Sequence, residues 1–560
     1  MHNIENIEIL IKLLKKHNIK YVVISPGGTN ISFVKALQND NYFKCYSVVD
    51  ERSAAYFAIG LYLQTGCIVA LSCTSAQATR NYIPGLTEAF YKNVPLLAVT
   101  MSKHPRFTYQ GYMQAPDQTS LPTDCVSKSF SLPFVQSTSD FLHSCRVVNE
   151  AILELQQNCR PVQINIPWQD FEINDIEYDK VKAISRHSSS IETIKELDGK
   201  KILIVAGEHG PYSEEDVNAI SDFCTTYNAA VYVNHLSNLH TAYNIEGNLF
   251  LSTLQNESEL TELLPDLILS IGGQTGDYPL YRALSKTNTS IEHWSINPQG
   301  RVEDVYDKLT RVYAMSILEF FKQSIDNTKK SSKSYFTKWQ LVISNYNRDV
   351  ELPLSNTFLA QQFCKLLPEN SILNLAILNS IRNWNLFPIS PTIECYANVA
   401  AFGIDGCMSM FIGESMITDK LCFLVIGDLA FFYDLNSLGI RGIGNNLRIL
   451  LVNNNGGIEF KIGCGANIYF DKYIAASGHF KNAKGWAETC GFLYMSANSK
   501  EGVLANMSKF VNKSDKSIVF EVFVTDNDEY LAYKKIIQSN QHHNVSEIFS
   551  KGINKIRKIF

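Results

Sequence analysis

Two apolar runs with unusual exits constrain this chain more than anything else in it. Residues 421–426 form a continuous hydrophobic stretch that reads as a strand buried on both faces of a parallel sheet. It leads straight into Gly427-Asp428. A second run, 447–452, leads into Asn453-Asn454-Asn455-Gly456-Gly457. The spacing predicts a helix over 430–440 between them, hence a strand–helix–strand unit whose two exits lie side by side. Open α/β sheets bind ligands at such carboxy-terminal strand ends. One exit carries the Asp428 carboxylate. The other, 26 residues on, carries the Asn454 amide oxygen and, at Gly456, an unencumbered backbone carbonyl. These are hard oxygen donors, the kind Mg²⁺ takes when it also holds phosphates.

The rest of the chain gives that unit a setting. Helical spacing over 4–16 precedes a strand at 21–24 that ends in Ser25-Pro26-Gly27-Gly28. A strand at 46–49 then leads to Asp50-Glu51-Arg52, which opens a helix. A strand at 68–72, the turn Cys73-Thr74-Ser75, a helix over 77–91 and a strand at 95–100 follow, and a strand closed by Pro167 ends the first domain. Residues 170–198 are polar and charged and read as a linker. Apolar strands at 201–206, 229–233 and 267–271 predict a middle domain, and the Lys/Ser-rich stretch 328–334 marks the next junction. The last domain opens with Asn356 as a helix cap, a helix to 366 and a strand at 371–375. The expectation is an α/β chain of three domains, 1–180, 195–330 and 340–560, each a parallel sheet flanked by helices. The first and last share one layout, with Cys73-Thr74-Ser75 where the last has Gly427-Asp428.

Bulk properties remove several function classes. A formal charge of −5 without long Lys/Arg runs argues against a nucleic-acid footprint. No run of about 18 apolar residues predicts a membrane span, and the first residues lack the basic-then-apolar order of a signal peptide. The 13 cysteines are scattered, odd in number and without a CxxC pair, which reads as buried thiols of a reducing cytoplasm.

Gly-Asp followed at this interval by Asn-Asn-x-Gly is the signature of thiamine diphosphate (ThDP) enzymes, and the chain resembles them. Among them it is similar, over nearly its whole length, to the 2-succinyl-5-enolpyruvyl-6-hydroxy-3-cyclohexene-1-carboxylate synthases. The likeness rests on Ser25-Pro26-Gly27, Asp50-Glu51-Arg52, Thr74-Ser75, Gln114-Ala115-Pro116-Asp117-Gln118, Asn165-Ile166-Pro167 and Gly403-Ile404-Asp405-Gly406. Gly427-Asp428-Leu429 and the Asn453–Gly457 cluster complete it. The resemblance implies a pyrimidine-binding first domain, a central domain and a diphosphate-binding last domain, with Mg²⁺ on Asp428, Asn454 and Gly456. It implies that Glu51 is the acid at the cofactor's pyrimidine N1′, lent to the last domain of a second subunit. Active sites would then lie at the interface of a homodimer or homotetramer. It implies Ile404 as the wedge that bends the cofactor, a task suited to a stiff β-branched side chain. The Phe402 carbonyl would accept from the cofactor's amino group, with Ser25, Pro26, Thr74, Gly427 and Leu429 as further contacts.

The substrate end departs from the family pattern. Family members hold polyanionic substrates with arginines, whose planar fork binds carboxylate at two points. Here the matching positions read Gly28-Thr29, Tyr278-Pro279 and Asn398-Val399-Ala400, with Ser102-Lys103-His104-Pro105-Arg106 at a fourth and Arg382 retained. Lys103, His104, Arg106, Arg382 and Phe460 are the expected substrate contacts. Gln114 is expected to touch substrate or intermediate. Glu459 lies in Ile458-Glu459-Phe460, where the family reads Gln-Ile-Phe, and is expected to move a proton above the cofactor. The leading expectation is Mg²⁺- and ThDP-dependent decarboxylation of a 2-oxo acid with transfer of the acyl unit to an acceptor, forming a C–C bond. The alternatives are the authentic synthase, a simple 2-oxo acid decarboxylase and, from another class, a silent structural homologue.

Overall fold

The computed structural model describes residues 5–168, 197–254, 257–285, 287, 291–299, 303, 305–306, 308–325, 334–464, 473–479 and 481–541. Most of the expected linker (170–198) and of the 328–334 junction lies outside them. Among the described residues are three six-stranded, all-parallel sheets. The first contains β1 (Tyr21–Ile24), β2 (Lys44–Ser47), β3 (Val69–Cys73), β4 (Leu96–Ser102), β5 (Lys128–Ser131) and β6 (Val162–Pro167). The second contains β7 (Ile202–Ala206), β8 (Ala229–Tyr232), β9 (Asn244–Ile245), β10 (Leu267–Ile271), β11 (Glu292–Ile296) and β12 (Leu309–Tyr313). The third contains β13 (Ile372–Leu375), β14 (Glu394–Tyr396), β15 (Cys422–Gly427), β16 (Leu447–Asn453), β17 (Leu493–Ala497) and β18 (Ile518–Phe523).

The first sheet runs β2-β1-β3-β4-β6-β5 and the third β14-β13-β15-β16-β18-β17, the same order strand for strand. In both, the chain leaves the first strand to one side and returns for the third on the other. The crevice of such a sheet opens at the carboxy ends of those two strands. Ser25 and Thr74 sit at that point in the first sheet, Leu378 and Asp428 in the third.

The first and last domains share one core. The Glu51–Thr65 helix crosses the Cys407–Ser415 helix at two glycines. A Cβ on Gly60 would lie 2.0 Å from the Met410 carbonyl oxygen, and one on Gly413 would lie 2.3 Å from that of Phe57. Only glycine lets two backbones approach so closely. The surrounding cluster joins Val23, Leu71 and Ala98 of the first sheet to Ile372, Leu424 and Ile449 of the third.

Two predicted helices are broken. The one over 77–91 divides into Gln77–Asn81 and Ile83–Lys92. Pro84 has no N–H and its ring opposes the carbonyl four residues back, so the helix restarts there. The one over 430–440 starts earlier, at Asp428, and ends at Tyr433, followed by a 3₁₀ turn at Leu435–Gly439. Asp434 interrupts it because its buried carboxylate turns inward to accept from Ser409 N (2.7 Å) and Ser409 Oγ (2.8 Å). The cap of the Asn356–Phe363 helix is Ser355, whose hydroxyl accepts from Phe358 N; Asn356 is the first helical residue. Among the described residues, no helix is long and apolar enough to cross a membrane.

Candidate functional site

Asp428 begins a helix directly at the exit of β15 and is 2% exposed. Its Oδ1 accepts from Leu429 N at 2.9 Å, while Oδ2 is buried with no hydrogen-bond partner. Burial drives its carboxyl up to about 6, against backbone N–H groups that include those of Asn455 and Gly456. A buried carboxylate oxygen with nothing to bond is costly unless something positive meets it. The exit of β16 lies alongside, Gly427 pairing with Val452. Its three asparagines divide the work. Asn453 points into the domain, donating to Glu521 (2.7 Å) and holding Asn455 N (3.1 Å). Asn455 takes the left-handed conformation (φ 64°) that turns the chain. Asn454 Oδ1 accepts from Gly456 N at 3.3 Å, folding that turn toward Asp428. Among the described residues no group of three or more His, Cys, Asp or Glu is placed to hold a metal ion. A cation site here is therefore one of carboxylate, amide and backbone oxygen, a hard donor set that fits Mg²⁺.

One residue the sequence reading missed stands behind this pair. Glu529, fully buried on the Asp526–Asn540 helix, accepts from Asn356 N (3.2 Å) and Asn379 Nδ2 (3.3 Å), and also from the Asn454 side chain. Burial lifts its carboxyl to about 7. It ties the Asn454 amide to the short helix Asn379–Trp384. Its only sequence signal is an acid in the first turn of a late helix, which is commonplace.

Glu51 is the first residue of the Glu51–Thr65 helix, with Asp50 as its cap, and accepts from Asn81 Nδ2 at 3.1 Å. Within one chain that helix start meets the far end of the Asp428–Tyr433 helix, where Arg52 donates to the Tyr433 carbonyl (2.9 Å). The length of that helix separates this contact from Asp428 by roughly 8 Å. Ser25 contributes through position rather than an open hydroxyl: its Oγ donates to the Val48 carbonyl (2.9 Å), fixing the strand exit just before Glu51. Pro26 follows it, exposed. Thr74 is likewise engaged, its hydroxyl 2.9 Å from that of Thr29. A Cβ on Gly27 would fall 2.2 Å from Thr74 Cβ, so glycine is required where the two strand exits touch.

Phe402 has φ 57°, and Ile404, half-buried, packs against the shared core. A cavity of about 320 Å³ opens beside them between the middle and last domains, lined by Asp277, Tyr278, Arg282, Leu378, Arg382 and Phe402. Two of the expected site residues, Arg382 and Glu459, meet each other. Both guanidinium nitrogens Nη1 and Nη2 donate to the Glu459 oxygens at 2.6 Å, a fork-to-fork pair. Burial works against the Arg382 charge, but the bonds from Glu459 prevail and raise its pKa above the usual value. Both Glu459 oxygens are thus engaged as acceptors by Arg382. Phe460 follows it, exposed.

Lys103, His104 and Arg106 do not line this cavity in the same chain. Lys103 lies over Trp168 (4.6 Å), Arg106 over Phe107 (4.4 Å), and His104 stacks on Phe134 (4.9 Å), all beyond the exit of β4. Gln114 is exposed, with φ 55°. The other glutamine of its motif, Gln118, is the buried anchor, accepting from Ala76 N (2.7 Å) and donating to Thr79 Oγ1 (2.9 Å).

Comparison with known proteins bears on the family and the fold. Residues 5–121 match the family model described as thiamine pyrophosphate enzyme, N-terminal TPP binding domain. A 2-succinyl-5-enolpyruvyl-6-hydroxy-3-cyclohexene-1-carboxylate synthase of Phocaeicola vulgatus is 32% identical, over 94% of this chain and 96% of the relative. That of Bacteroides thetaiotaomicron is also 32% identical, over 94% and 97%. A solved structure described as a thiamin diphosphate-dependent enzyme from Mycobacterium smegmatis superposes with a TM-score of 0.67 at 14% identity, covering 93% of this chain and 99% of that one. The last likeness concerns the fold alone.

Proposed function

The chain belongs to the 2-succinyl-5-enolpyruvyl-6-hydroxy-3-cyclohexene-1-carboxylate synthase family of ThDP enzymes, and from that premise we propose that it decarboxylates a 2-oxo acid and joins the remaining acyl unit to an acceptor through a new C–C bond. The relatives' name favours one form of that reaction. A succinyl group is what 2-oxoglutarate leaves after losing CO₂, and its acceptor is the cyclohexadiene isochorismate. The observation that carries the reading is the buried, partnerless Asp428 Oδ2 at the crevice of the third sheet.

Mg²⁺ would be held by Asp428, Asn454 and the Gly456 carbonyl, and would supply positive charge for a diphosphate. When bound, thiamine diphosphate would supply a carbon nucleophile and an electron sink for the decarboxylation. The chain's residues position and move protons around it. Glu51, from a second subunit of a homodimer or homotetramer, would hold the proton at pyrimidine N1′. The Phe402 carbonyl would accept from the cofactor's amino group, and Ile404 would support the ring system from below. Arg382 and the cavity wall orient substrate.

The test is CO₂ release and product mass after mixing protein, ThDP and Mg²⁺ with 2-oxoglutarate and isochorismate. Release that requires both, with the adduct mass, supports the synthase; no release from any 2-oxo acid rejects the whole reading. One observation favours a second form, a carboligase with less anionic substrates. The Arg382 fork is closed by Glu459, and Tyr278 and Pro279 line the wall. Release from pyruvate without release from 2-oxoglutarate would select it.

A further inference from the structure

The segment between β14 and the Cys407–Ser415 helix carries Phe402 and Ile404 but has no regular structure of its own. Its backbone is held by side chains from two other domains. At its root, within β14, the middle domain's Asn238 brackets Cys395, accepting from its N–H (2.7 Å) and donating to its carbonyl (2.9 Å). Lys92, on the Ile83–Lys92 helix of the first domain, donates to the Ala397 carbonyl and to Glu208 of the middle domain. One turn earlier on that helix, Glu88 is 1% exposed. It spans two successive backbone donors, Ala401 N to Oε2 at 2.8 Å and Ala400 N to Oε1 at 3.4 Å. From the middle domain, Gln274 Nε2 donates to the Ala400 carbonyl at 3.2 Å. The residue that follows these bonds is Phe402, in the left-handed region that a side chain other than glycine adopts only when its surroundings impose it.

We propose that Glu88 is a positioning residue for the cofactor reaction: by clamping the Ala400 and Ala401 N–H groups it fixes the Phe402 carbonyl and the Ile404 side chain in the places where they act. This rests on the reading of Phe402 and Ile404 given above. A carboxylate suits the task because it alone among side chains offers two acceptor oxygens and no donor to a pair of N–H groups. Glutamine in its place would turn an amide N–H toward one of them. Lys92, itself paired with Glu208, offsets part of the cost of a charge on Glu88, while burial drives the Glu88 carboxyl up to about 7, so the acceptor-only form of the clamp is complete above that pH. None of the clamp's hydrogen bonds involves Asp428 or Asn454, so it governs how the cofactor is activated rather than how tightly its diphosphate is held.

The experiment compares wild type with Glu88→Gln and with Gln274→Ala, an exposed position whose loss removes one bond of the clamp without emptying a core. Amide hydrogen exchange of residues 396–404 in cofactor-free protein is read first. Exchange of the thiamine C2 proton and ThDP affinity at saturating Mg²⁺ are read next. Glu88→Gln is expected to speed amide exchange in that segment at least tenfold and slow C2 proton exchange at least tenfold. ThDP affinity should stay within threefold, and Gln274→Ala should shift both exchange rates a few-fold in the same directions. Unchanged C2 exchange in a folded Glu88→Gln, or affinity falling in step with it, overturns the proposal. If Glu88→Gln does not fold, Gln274→Ala decides alone, and unchanged rates there overturn it. Wild type that binds no ThDP would instead sink the functional reading; the amide-exchange result stands apart from that.

Discussion

The first and third sheets thread their strands in the same order, yet only one has a charged group at its crevice. In the first, the exits of β1 and β3 are bound together by the Thr29–Thr74 hydroxyl pair, and Ser25 is spent on Val48. Its acid, Glu51, stands at the exit of the neighbouring strand. In the third, Asp428 occupies the crevice itself, buried and with one oxygen unmatched. A hydroxyl can be buried and satisfied by another hydroxyl; a carboxylate in the same place calls for a cation. The same topology thus supplies a closed seat on one side and, on the reading proposed above, a seat for an ion on the other.

The sharpest way to break this comparison is to exchange its two key positions for inert ones. Asp428→Ala should weaken Mg²⁺-dependent ThDP binding by more than the roughly 100-fold that outer-shell losses reach. Thr74→Val should change it only a few-fold; isothermal titration reads both. Comparable losses would erase the asymmetry. Next in size, Glu529→Gln should cost about 10- to 100-fold in Mg²⁺ affinity, because it loosens the partner that orients the Asn454 amide. The measurement is a Mn²⁺ titration at fixed ThDP.

The asymmetry was legible in the sequence because Gly427-Asp428 and Asn454 are local signals attached to long apolar strands. What escaped was decided by contacts distant in the chain. Glu529 meets Asn454 from another helix, and Glu459 meets Arg382 across 77 positions. No periodicity announces either. The shared strand order was readable as a repeated layout. The depth of the seam between first and last domains was not, since Gly60 and Gly413 matter only where two helices cross.

That seam gives a third contrast, against the middle domain. Gly60→Ala forces a methyl group against a carbonyl and should cost about 1–3 kcal/mol or more, read as a lower midpoint of thermal unfolding. Gly210→Ala, with nothing within 4 Å of the new atom, should leave it nearly unchanged.

The fourth contrast is one of pH. Asp428 is raised from 3.8 to about 6 in the folded, cation-free chain. A carboxyl raised in this way contributes stability below its unfolded value, and loses that contribution as pH climbs through about 6. A cation binds the ionised form, so the rise in melting temperature on adding Mg²⁺ and ThDP should be larger at pH 7.5 than at pH 5. Asp428→Asn should flatten the difference. The smallest effect is expected at the substrate end. Glu459→Gln releases one fork of Arg382 and should lower KM for a dicarboxylic 2-oxo acid several-fold relative to pyruvate, as steady-state kinetics would show.

The account stands on the cation seat at the crevice of the third sheet. Crystals grown with Mn²⁺ and ThDP would locate it by anomalous scattering. A peak about 2.1 Å from Asp428 Oδ2 and the Asn454 amide oxygen, next to the diphosphate, is the predicted result. Bound cofactor with its metal held elsewhere, or with no metal beside Asp428, would contradict it.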